Sequence, residues 1–136
     1  MTTYSGLTEL ALTHTTTPLQ AWEKAVQTLA SQGVGTQSSR GKGCPKAAFV
    51  GLAEHGFVRG FAASSGKPLG ENARHALCAY QLYVADPSLL DSKKAWWQAV
   101  ATQRKISREN QAGVLDVVGA LIQHDAFLPA AQTAPR

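Results

Sequence analysis

The sequence predicts a mostly α-helical, single compact domain of about five main helices, with room for one short β-hairpin near Phe57 to Phe61. Three observations carry that reading. Apolar residues recur at three- and four-residue spacing in five separate stretches, whereas period-two alternation is weak and confined to residues 57–61. A length of 136 residues accommodates one ordinary domain and not two. A composition of 44% apolar and 16% charged residues is that of a chain able to bury a core. Residues 1–128 are expected to form the domain, and the alanine-rich residues 129–136 to fray.

The first predicted helix opens at Thr17-Pro18, since Thr caps and Pro is tolerated at the first helical position. Leu19, Trp22, Val26 and Leu29 form its apolar stripe, and Gly33 and Gly35 stop it. Residues 33–43, GVGTQSSRGKG, contain four glycines and almost no apolar side chains, which predicts a flexible surface loop. The second helix is expected from Pro45 to about His55, with Ala48, Phe49 and Leu52 inward and Gly56 as its stop. Residues 64–70, SSGKPLG, read as another loop. The third helix covers about Asn72 to Val84, with Ala73, Ala76, Leu77, Tyr80 and Val84 on one side, and Asp86-Pro87 breaks it. Asp91 or Ser92 caps the fourth, which carries Ala95, Trp96, Ala99 and Val100. Ser107 is expected to cap the fifth, which continues to about His124.

That fifth helix presents Val114, Val118, Leu121 and Ile122 on one face and Ala112, Gly113, Asp116, Gly119 and Ala120 on the other. The second face is small and not charged, so a neighbouring backbone can approach it, and a central helix covered on both sides is expected. Asp116 then needs a donor, because an unpaired buried carboxylate costs several kcal/mol or neutralises. The alternative leaves Asp116 exposed in a gap between helices.

Several function classes are excluded or left without support. Lys plus Arg total 13 against nine Asp plus Glu, a net charge of +4 that permits an anionic partner without demanding one. No apolar run approaches ~18 residues, so no membrane span is predicted. Met1 to Thr17 lacks a basic region and an apolar run, which argues against a signal peptide and makes the cytoplasm the default location. Cys44 and Cys78 form no CxxC pair, and His14, His55, His75 and His124 have no HExxH or HxxxH spacing. No metal site and no cofactor are therefore predicted. Trp22, Trp96, Phe49 and Tyr80 read as core, while Trp97 lies off its stripe, either exposed or packed against the fifth helix.

The segment best suited to chemistry is Arg40-Gly41-Lys42-Gly43-Cys44-Pro45-Lys46. It is cationic, its glycines let backbone amides approach a ligand, and it feeds a helix N-terminus whose dipole favours an anion. A phosphate loop fails here: five residues separate Gly35 from Gly41, and Gly43 stands where a hydroxyl is needed. Cys44 beside a helix start and two lysines is a candidate for a reactive thiol or a half-buried cap residue. A nucleophile needs a base, and His55 lies about 16 Å along the same helix, so His75 or His124 would have to fold back onto it. The string from Ala48 to Arg59 also has the outline of a winged-helix recognition helix entering a wing, with Lys46, Gln37 and Arg40 facing nucleic acid. The long glycine loop before it fits that motif poorly.

Residues 21–25 (AWEKA), Lys42 to Leu52 with its Lys-Gly-Cys-Pro-Lys segment, Glu54 to Gly60, Asn72 with Ala73 and Ala76, and Asn110-Gln111 with Asp116-Val117-Val118 together resemble a family of short, uncharacterised bacterial proteins of unknown function. The resemblance implies a compact helical domain and a shared Cys-Pro segment, and it implies no reaction. The expected function is a small non-catalytic binding module that docks an anionic surface or partner, protein or nucleic acid, through Arg40, Lys42, Cys44 and Lys46. Its alternatives are a small cysteine-dependent enzyme or redox sensor using Cys44, and a winged-helix-like DNA-binding protein.

Overall fold

The computed structural model describes residues 2–136. Six helices of nine residues or more build it: α1 (Thr3–Ala11), α2 (Pro18–Ser31), α4 (Gly43–Glu54), α5 (Glu71–Ala85), α6 (Lys93–Arg104) and α7 (Val114–Gln123); a single turn, α3 (Gln37–Arg40), interrupts the glycine loop. Short 3-10 segments follow at Pro87–Asp91 and Pro129–Gln132. No helix of the described residues is long and apolar enough to cross a membrane.

Local chemistry accounts for most boundaries. The Thr17 hydroxyl accepts from the Gln20 amide with Pro18 in the first turn, and α2 ends where Gly33 turns left-handed and the Val34 amide reaches back to Leu29. Gly56 does the same for α4, returning the Phe57 amide to Leu52. Ser92 caps α6 at the Ala95 amide. Leu19 and Val84, near helix ends, stay largely exposed, while Ala21 and Ala25 take the buried positions of α2.

Four expectations are corrected. α1 precedes the first predicted helix: Thr2 and Ser5 form a reciprocal capping box, and Leu7, Thr8 and Ala11 are buried against α2 and α7. Two threonines, a serine and a glycine among its nine residues give it low helix propensity, so docking and capping stabilise it. Second, the fifth predicted helix starts at Val114, not at Ser107. Ala112 (φ 56°) and Gly113 (φ 85°) are both left-handed, which no α-helix can pass through. The Gln111 side chain accepts from the Leu115 amide at 2.7 Å and serves the new helix start. Third, residues 57–61 make no hairpin. Val58 forms an isolated antiparallel bridge with Phe127, because Gly60 (φ 94°) turns the chain away before a second strand can pair. Fourth, residues 129–136 do not simply fray: Ala131 is fully buried, and the Gln81 amide donates to the carbonyls of Ala131 and Ala134.

α7 is the central helix. Val114, Leu115, Val117, Val118 and Leu121 are buried, and α1, α4 and α5 pack around it. Trp22 and Phe49 meet at 5.4 Å between α2 and α4, and Phe61 stands edge-on to Phe49. The Trp96 indole donates to the Ala79 carbonyl at 2.9 Å and joins α6 to α5.

Candidate functional site

The basic turn is divided by its own packing. Arg40 closes α3 and donates through Nη1 to the carbonyls of Val34 and Gly35, both at 2.8 Å, so its guanidinium holds the loop that carries it. Lys46, one turn into α4, lies 3.9 Å from Glu23 of α2. Arg40, Gly41 and Lys46 line a shallow cavity of about 270 Å³ beside Trp22, Glu23 and Val26. Lys42 turns the other way, with its ammonium 5.9 Å from the centre of the Tyr4 ring on α1. It is exposed, whereas Cys44 is a half-buried free thiol. No side chain caps α4, and the space above Gly43 is open.

Three of the four histidines are engaged with partners other than Cys44. The His55 ring nitrogens each lie 2.8 Å from a carbonyl, of Gly51 and of Lys67. His124 faces Glu9 at 3.3 Å. His75 is buried between Glu71, Arg104 and Trp97. Cys78 is fully buried, and burial pushes its thiol up from the ordinary value. The winged-helix expectation meets a plain obstacle: α4 is packed by α2, α5 and α7, and no wing sheet forms among the described residues. Among the same residues, no group of three or more His, Cys, Asp or Glu side chains is placed to hold a metal.

A second concavity lies between α6 and the segment 106–111, with a volume of about 720 Å³. Its floor is Trp97, Ala101 and Ile106, and Lys93, Lys94 and Arg108 bring positive charge to its walls. Arg108 is held in place from several sides. Its guanidinium lies 5.2 Å from the Trp97 ring, and it donates to the carbonyls of Asn110 and Gln111 and to the Asn72 side chain. Trp97 answers with its indole N–H on the Arg108 carbonyl at 2.7 Å. The off-stripe tryptophan is therefore packing against the irregular segment and not an exposed platform. Lys93 pairs with Asp116, which is only 7% exposed and lies 3.4 Å from the Gln111 amide nitrogen. This supplies the donor that a buried Asp116 requires.

Sequence reasoning missed this cleft because residues 107–113 read as helix. The signal that marks it is Asn110-Gln111 ahead of Ala112-Gly113: the Asn110 side chain accepts from the Ala112 amide at 2.8 Å, a turn that excludes helix there. The model of a family described as a family of unknown function matches residues 3–128. No curated protein and no solved structure matches the chain.

Proposed function

The chain belongs to DUF6979, that family of unknown function, and on this footing we propose that it is a small non-catalytic binding module. It docks an anionic surface or partner protein through the turn that opens α4, using Arg40, Lys42 and Lys46, with Cys44 at the edge of the contact. One observation carries the reading: Lys42 is exposed at a helix start that no side chain caps and above which the space is open. Of the three cations only Lys46 has a carboxylate partner among the described residues, Glu23, so the turn keeps a positive surplus. The adjoining cavity is shallow, which favours an extended partner over an engulfed small molecule. The same proposal takes the family to be bacterial, the protein to be cytoplasmic and the Lys42 to Lys46 segment to be a shared feature.

Arg40 is best left intact in the test, because it holds the loop. Lys42→Ala with Lys46→Ala is expected to preserve the fold, since the Lys46–Glu23 pair is exposed and worth little. Affinity for heparin, used as a polyanion probe, is expected to fall about tenfold, with a shallower dependence on salt. The charge-matched variant Lys67→Ala with Lys105→Ala is expected to bind nearly as wild type. An equal loss in both variants would reduce the effect to net charge and remove the reading.

A further inference from the structure

We propose that the cleft between α6 and residues 106–111 is a separate binding site for a small amphipathic monocarboxylate. Its volume, about 720 Å³, falls within the ~300–1,000 Å³ typical of small-ligand sites. The floor is apolar and calls for an apolar body. The rim is rich in donors: the Lys94 ammonium and the side-chain amides of Gln98 and Asn110 are exposed around it.

Charge bookkeeping selects the head group. Lys93 is neutralised by Asp116, and Glu109 offsets one of the two remaining cations, Lys94 and Arg108. The cleft therefore carries a surplus of one positive charge, which complements a single carboxylate. A phosphate dianion would need more cations or a row of unpaired amides, and the Ala112 and Leu115 amides beside the cleft are already taken by the side chains of Asn110 and Gln111. The wall is also preformed. Left-handed Lys105 and Ala112 bracket the segment, and Arg108 ties it to Trp97 of α6 and Asn72 of α5. A ligand meets a shaped surface and does not have to order a loop.

Isotope-labelled full-length protein titrated with benzoate, phenylacetate, hexanoate and octanoate, each beside its uncharged amide, tests this by chemical-shift mapping. At least one acid is expected to saturate below about 10 mM, with shifts confined to residues 93–111. Its amide is expected to bind about fivefold more weakly, as is the acid to Lys94→Ala, the weight of one partly screened charge. Ala101→Trp fills the floor and is expected to abolish binding. If that variant misfolds, the exposed Lys94→Glu decides instead, with loss of the acid's binding expected. The proposal falls if no acid saturates, if the shifts map elsewhere, if amide and acid bind alike, or if neither Ala101→Trp nor Lys94→Glu weakens binding. The basic turn at α4 is untouched by these variants, so either site can fail alone.

Discussion

His75 lies beneath Trp97 with different tasks for its two ring nitrogens. Nδ1 accepts from Arg104 Nε at 3.3 Å, so the neutral ring carries its proton on Nε2, 3.4 Å from Glu71. Burial holds its pKa below the ordinary 6.5; Glu71 pulls the other way, and Arg104 and Arg108 reinforce the lowering. The unfolded chain therefore takes up the proton first as pH drops. Stability is fully present above about pH 6.5 and declines as pH falls from there toward the folded-state pKa. Urea unfolding of wild type and His75→Gln between about pH 7 and pH 5 checks this, with a smaller loss expected for the variant over that window. An identical slope in the two proteins would assign the acid sensitivity to other groups. Asp116 is buried with a different remedy: Lys93 reaches its carboxylate from another helix and pairs with it.

Between elements, the closest fit is where α4 crosses α5. A methyl group added at Gly51 would stand 2.6 Å from the Ala73 Cβ, and neither helix has a flexible side chain at that point to yield. Gly51→Ala gains up to about 1 kcal/mol of helix propensity and loses about 1–3 kcal/mol to overpacking. A net destabilisation of about 1–2 kcal/mol is expected in denaturant melts. Adding Ala73→Gly is expected to relieve the contact and recover part of that loss. The double variant separates steric contact from any intrinsic effect of the glycine. The beginnings of α2 and α6 were legible in the sequence because a cap, a proline and an apolar repeat all lie within one or two turns of each other. The beginning of α7 was not. Ser107 offers a cap and no proline follows it before Val114, and only the Asn110 turn with two left-handed residues shows that the helix waits until Val114.

Across the whole molecule, the first helix and the last residues are pinned to α7 and α5. α1 covers α7, and the last residues dock on α5 through buried Ala131 and the Gln81 amide. Deleting residues 129–136 removes one small buried side chain and the three hydrogen bonds that join Gln81 to Ala131, Ala134 and Arg136, partly offset by the entropy returned to the freed tail. The expected cost is about 1–2 kcal/mol, or roughly 3–8 °C in melting temperature, read by calorimetry. No change in melting temperature would mean that the docked tail contributes nothing. The same long reach divides the basic turn: Arg40 and Lys46 face α2 while Lys42 faces α1, although the three are neighbours in the chain.

The helical class and four of the main helices follow from the sequence alone, because caps, breakers and 3.6-residue spacing act over a few residues. The docking of α1 and the tail, and the cleft beside α6, were decided only in the folded molecule. Lys93 meets Asp116 across 23 residues and Arg108 meets Asn72 across 36, and such pairings depend on how helices pack and not on any local preference of the chain.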